Sequence, residues 1–317
     1  MMSGKLKLFD GCLWVCLILA ITVSCQKNSP KLPQKITINT PLLIERIKKQ
    51  ELPKLITIKK DITIDAYFNF MDSLVKRYDT VTPYPLSEHV MVRNNPWIID
   101  TLANTDYYRM MAIDSFVYDQ GKMIVLPMNS KLKVPDSIVA YTLLEAFDKT
   151  EIDINIPEYR LRIYQDSILL YSFPIRVGQN RRRYLAMGNR ETDLRTLPGS
   201  GSIIKHVKEP DFYNPVDGKQ FYLTKRDDGK TTLMPKIPWI ETEINGVRNG
   251  QMIHPTTNPK SLEKPYSNGC IGTKEADAWV IYYHAPLGTK VKIRYDLQSY
   301  EEGSVVKIFK DIYGYAN

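Results

Sequence analysis

The chain has 317 residues, 43% hydrophobic and 25% charged, which suits one large or two modest globular domains with a real core and sets aside a chain too polar to fold. The formal net charge is +8, but Lys and Arg are scattered and the densest run is only Arg181-Arg182-Arg183. Nucleic-acid binding requires clustered basic residues and is not expected; attraction to anionic cell-envelope polymers or lipid headgroups fits the charge equally well.

The N-terminus reads as an export signal. Lys5 and Lys7 precede an apolar run from Cys12 to Val23, too short for a confident membrane-spanning helix. The run ends in Thr22-Val23-Ser24-Cys25. This is similar to the lipobox of bacterial lipoproteins, where small residues precede a cysteine that is acylated and becomes the new N-terminus. Thr22 stands where those proteins usually carry an aliphatic residue. Residues 1–24 are therefore expected to be a signal peptide and Cys25 a lipidation site. Of the four cysteines, Cys12 and Cys16 then leave with the signal, and Cys270 is the only free thiol of an exported protein. An unpaired thiol in an oxidising compartment is a candidate reactive group.

Residues 25–40, rich in Lys, Pro, Asn and Ser, read as a tether, and Pro41 to Glu51 as a short helix. Ala66, Phe70, Met71, Leu74 and Val75 predict a helix over Ile62 to Arg77, broken off by Pro83 and Pro85. Residues 89–127 open on a strand-like HVMV, carry two helical patterns and close on Gly121-Lys122-Met123-Ile124-Val125-Leu126-Pro127. Strand, helix, helix, strand resembles a LysM module, a glycan-binding unit of cell-wall proteins; the alternative is a small structural subdomain that binds no sugar, with Trp97 in its core.

From about residue 148 the pattern changes to strands. Tyr159, Leu161 and Ile163 alternate with polar residues, Gln165-Asp166 turns the chain, and Leu169, Tyr171, Phe173, Ile175 and Val177 line one face of a return strand. Asp228-Gly229 joins strands near Gln220 to Thr224 and Thr231 to Met234. Asn245-Gly246 and Asn249-Gly250 lead into a strand over Gln251 to His254. Ala276, Trp279, Val280 and Tyr283 recur at helical spacing behind Thr273, expected as N-cap. Gly288 stops that helix, Val291, Ile293 and Tyr295 make a closing strand, and a last helix is expected around Val305 to Tyr313. The fold class is α+β: a β-rich sandwich or barrel with a small mixed N-terminal subdomain.

Cys270 lies 16 residues after His254, within Ser267-Asn268-Gly269-Cys270. A thiol is a useful nucleophile only as thiolate, and an imidazole can take its proton. Gly269 permits a sharp turn, the Gly269 and Cys270 amides could share an oxyanion, and a following helix N-terminus would favour negative charge on sulfur. His206 reads as core or surface and His284 as a helix C-terminal contact. No His, Cys and carboxylate cluster has metal-ligand spacing.

His254 followed by Ser267-Asn268-Gly269-Cys270 in a β-rich exported domain resembles the L,D-transpeptidase (YkuD-like) catalytic domain over about residues 148–296. Phe173-Pro174-Ile175-Arg176-Val177-Gly178, Thr196-Leu197-Pro198-Gly199-Ser200-Gly201 and Gly288-Thr289-Lys290-Val291-Lys292-Ile293 add to the likeness. The resemblance implies Cys270 as nucleophile, His254 as general base and acid, and the Pro255 carbonyl orienting His254. It also implies Ser267, Asn268, Tyr266 and Arg248 near substrate, peptidoglycan peptide stems as partner, and no cofactor or metal. Asn268 replaces a second histidine of the family. Gly272 replaces an Arg or Asn two places after the cysteine, a contact that Arg248 or Arg176 would have to supply. The expected product is a 3–3 cross-link. L,D-carboxypeptidase action, attachment of proteins to the wall and a non-catalytic wall-binding lipoprotein stay open. The expected setting is the periplasm, on either membrane, as a monomer with residues 41–147 forming the N-terminal region and 297–317 a C-terminal extension.

Overall fold

Apolar Ile64, Tyr67, Phe68, Met71 and Leu74 recur three or four residues apart and bury one stripe of a 16-residue helix, α1 (Ile64–Asp79). The computed structural model describes residues 55–301 and 304–315. The signal segment, Cys25 and the helix expected over 41–51 lie outside the described residues. Three short helices follow: α2 (Glu88–Arg93), α3 (Trp97–Ala103) and α4 (Tyr107–Met111). A longer one, α5 (Ser137–Asp148), leads into the sheet.

The HVMV segment expected as a strand is the body of α2, capped by Ser87, with His89, Val90, Met91 and Val92 all buried. A short wholly apolar run has no period of its own, so burial on every side decides between helix and strand. The strand Ile124–Leu126 pairs with Ile62–Thr63, upstream of α1. Residues 89–127 therefore lack the opening strand of a LysM-like unit. Trp97 is partly buried and packs against the core.

The main sheet has eight strands: β1 (Thr150–Asn155), β2 (Arg160–Gln165), β3 (Ile168–Pro174), β4 (Gly199–Val207), β5 (Trp239–Ile244), β6 (Met252–Pro255), β7 (Ile271–Thr273) and β8 (Lys290–Arg294). Their order is β7-β6-β5-β4-β8-β1-β2-β3. The β1–β8 and β6–β7 pairs are parallel and the other five antiparallel. Asp166 and Ser167 both take positive φ between β2 and β3, the backbone twist that a tight hairpin needs. The tail expected to be helical is a hairpin, Gln298–Glu301 with Ser304–Ile308.

The helix α6 (Glu275–His284) follows β7 and packs against α2, α3 and β6. Trp279, Ile281, Tyr282 and Tyr283 are wholly buried, as befits a helix apolar on most faces. Tyr67 of α1 shares a 2.6 Å hydrogen bond with Tyr283, whose hydroxyl donates to Glu88 of α2. The rings of His89 in α2 and His206 in β4 stack at 5.1 Å. The helical N-terminal region and the sheet thus share one core, and packing runs unbroken across residues 147 and 148.

Candidate active site

Strand β6 carries His254, and β7 begins directly after Cys270. The two are parallel neighbours, Ile253 opposite Ile271 and His254 opposite Gly272. Continued by one residue, that register sets Cys270 level with Met252. Cys270 is the bend residue just before β7, so the parallel pairing brings its backbone alongside the strand that carries the imidazole. The intervening residues make a loop that leaves β6 and returns parallel to it, which accounts for the long gap between the two residues. His254 Nδ1 lies 2.9 Å from the Pro255 carbonyl oxygen. A proton on Nδ1 donated there would leave Nε2 as the basic nitrogen. The ring of Trp239 in β5 stacks on the imidazole at 4.7 Å.

The cysteine turn is held from several sides. Gly269 takes φ +111°, a region that side chains disfavour. Ser267 Oγ donates to the Cys270 carbonyl at 2.5 Å and accepts from the Gly269 amide at 3.2 Å. That engages one of the two amides expected to face an oxyanion. Thr196, fully buried, donates from Oγ1 to the Gly269 carbonyl and accepts from the Gly178 amide, both at 2.9 Å. Tyr313, in the C-terminal extension, donates to the Gly178 carbonyl and accepts from the Thr196 amide. The sulfur remains partly exposed, 3.8 Å from the Gly250 carbonyl oxygen.

Burial and the nearby Arg176 guanidinium hold His254 down at about 4, so the imidazole is neutral at neutral pH and can accept a proton. Burial pushes the Cys270 thiol up, against the opposing pull of a backbone hydrogen bond at Met252 and of Arg176. The resting pair is therefore uncharged. The helix contributes little to the sulfur: three residues of strand separate Cys270 from α6, roughly 10 Å of extended chain. The expected Thr273 cap is part of β7 instead, and the Ala276 amide of α6 is met by Asp106, from the N-terminal region.

The remaining expected residues are spread around this centre. Asn268 is half-buried beside the cysteine, and Tyr266 is 62% exposed. Arg248 is committed to Glu241 through a paired ion contact, one bond of which is 2.6 Å. His206 is bonded to the Ala285 carbonyl and His284, the last residue of α6, to that of Val280. No group of three or more metal-binding side chains occurs among the described residues. Trp239, Thr196 and Tyr313 escaped the sequence reading. Thr196 stood in a quoted motif, but its role needs partners 18 and 73 residues away.

Residues 149–293 match the family model for the L,D-transpeptidase catalytic domain, YkuD. The match covers just under half of the chain. A curated relative, the probable L,D-transpeptidase ErfK/SrfK of Escherichia coli K12, is 24% identical over 183 residues, 57% of this chain and 51% of its own. The chain thus spans about half the length of that relative. Among solved structures, an L,D-transpeptidase from Mycobacterium smegmatis is similar at 12% identity and TM-score 0.33, covering 52% of this chain and 63% of its own. Another, from Xylanimonas cellulosilytica, is 11% identical with TM-score 0.34 and covers 77% of this chain and 99% of its own. The matched segment contains both His254 and Cys270, and the Thr196 clamp on the cysteine turn lies within it.

Proposed function

We propose that this protein is an exported, lipid-anchored peptidoglycan L,D-transpeptidase that works through a cysteine acyl-enzyme. The observation that carries the reading is a neutral imidazole on β6 and a partly exposed cysteine directly before its parallel neighbour β7, inside a segment that matches the YkuD model. His254 takes the Cys270 proton as the sulfur attacks the carbonyl of the third residue of a tetrapeptide stem. The tetrahedral intermediate collapses, the C–N bond breaks, and the imidazolium gives its proton to the leaving amine of the terminal D-alanine. The amine of a second stem then attacks the thioester while His254 takes its proton, the C–S bond breaks, the proton returns to the Cys270 sulfur, and a 3–3 cross-link is released. The Cys270 amide, with that of Gly269 once its bond to Ser267 yields, would hold the oxyanion. Residues 148–296 are the catalytic part, and 297–317 brace it through Tyr313. Cys25 would anchor the chain to a membrane from the periplasmic side.

Purified full-length protein incubated with tetrapeptide muropeptides separates the outcomes by product mass. Cross-linked dimers support transpeptidation, and free D-alanine with tripeptides would mean that water is the acceptor. If Cys270→Ala leaves product formation intact, the site assignment fails.

A further inference from the structure

Resting on that reading, we infer that Arg176 is the group that recognises a free carboxylate on the donor peptide, reaching the site across the strand from Gly272. Arg176 and Gly272 form a two-way backbone bridge: the Arg176 amide donates to Gly272 at 2.9 Å and the Gly272 amide donates back at 3.0 Å. Gly272 is fixed as glycine by that neighbour. A Cβ built there would lie 2.5 Å from Arg176 Nε, 2.6 Å from its Cγ and 3.0 Å from its Cδ. The space that a side chain two places after the cysteine would fill is thus taken by the arginine stem.

The guanidinium is anchored but not neutralised. One terminal nitrogen donates to Ser261 Oγ at 3.2 Å, while the buried Nε has no hydrogen-bond partner among the described residues. Among those residues it forms no ion pair with a carboxylate, unlike Arg160, Arg162 and Arg226. Its charge acts instead on Cys270, His254 and Tyr266. Desolvating a guanidinium without a counter-charge is costly, and its planar fork matches a carboxylate in two-point contact. Arg248, the other basic candidate, is occupied by Glu241. A carboxylate paired with Arg176 would also offset the positive charge that disfavours the imidazolium. Substrate binding would then make proton transfer from Cys270 to His254 easier.

Two carboxylates of a stem peptide could fill this role: the terminal one on the leaving residue, or one on the side chain of the third residue. The test uses full-length protein and three tetrapeptides: unmodified, amidated at the C-terminus, and amidated on the third residue. Acyl transfer to Cys270 is followed by intact mass, giving kcat and KM. For the wild type one amidation is expected to raise KM about 10- to 100-fold, the range for a lost charge-assisted hydrogen bond, and which one does so identifies the carboxylate. In Arg176→Gln the same amidation should change KM less than twofold, because the interaction is already gone. In the double variant Arg176→Gly with Gly272→Arg the discrimination should return, the arginine now coming from the other strand. Thermal melts check that the variants fold. Equal sensitivity of wild type and Arg176→Gln to amidation, or a wild type indifferent to both amidations, overturns the role of Arg176 while leaving transpeptidation standing. A wild type that forms no acyl-enzyme with any of the peptides sinks both.

Discussion

At Cys270 and His254 desolvation favours the uncharged forms, thiol and neutral imidazole, from which the proposed reaction would start. Free histidine would protonate near pH 6.5; with His254 held at about 4, kcat/KM should be flat from about pH 5 to about pH 8 and should rise only as the thiol ionises. An acid limb centred near 6.5 in a pH-rate profile would contradict this. His254→Gln should lower kcat about 10²- to 10⁴-fold, the usual worth of a general base. Thr196 acts on the sulfur only through the turn. Thr196→Val strands the Gly269 carbonyl and the Gly178 amide, so a loss of about 2–4 kcal/mol in stability is expected by urea unfolding. A kcat deficit that survives below the unfolding midpoint, with little change in KM, would mark it as a positioning residue.

Helix α6 is the element that joins the cysteine strand to the N-terminal helices, and its first turn shows how. Glu275 and Arg226 form an ion pair with both side chains essentially unexposed. Glu275 also accepts from the Tyr107 amide and from Gln120, and Arg226 donates to Gln120. Removing one partner strands a buried charge, so Glu275→Ala should cost about 3–5 kcal/mol, whereas Glu275→Met with Arg226→Met should cost much less. Chemical unfolding of the wild type and both variants decides it; equal losses would mean that the cost does not come from a stranded charge. Sequence periodicity found α1, α6 and the first hairpin, because each has an apolar stripe matched to its own geometry. It misassigned residues 89–92 and 305–313. In the first case His89, Val90, Met91 and Val92 are all buried, so no polar face marks the period. In the second, residues 304–308 pair with 298–301 in a hairpin, and the partner strand rather than the propensity of the segment itself decides its structure.

For the whole molecule, all four histidines are held below the usual imidazole value by burial: His89 at about 3, and His206, His254 and His284 at about 4. The unfolded chain binds protons on these groups below about pH 6.5 while the folded one does not, so stability falls as pH drops from there towards 4. Glu88, Glu275 and Asp277, raised by burial, the last to about 6, act in the opposite sense above the ordinary carboxylate range, but they are three against four. Melting temperature should therefore decline between about pH 6.5 and pH 4, and His206→Gln should flatten part of the slope. A melting temperature unchanged across that window would contradict the burial of these rings.

Several features were already determined by the amino-acid order. The β-rich YkuD-type segment, the spacing of His254 and Cys270, and the Pro255 carbonyl beside the imidazole all follow from neighbours along the chain, or from motifs a few residues long. Tertiary structure alone showed which arginine is left without a carboxylate partner beside Gly272. Arg248 lies six residues from His254 in sequence but is tied to Glu241, whereas Arg176, 78 residues away and bridged to Gly272, fills the space that glycine leaves. The same holds for Trp239 on the imidazole and for Asp106 on the first turn of α6. Local pattern reports which face of an element is apolar, but not which distant element will cover it. The electrostatics of a buried site depend on that cover, because desolvation and the nearest charge both act through space rather than along the backbone.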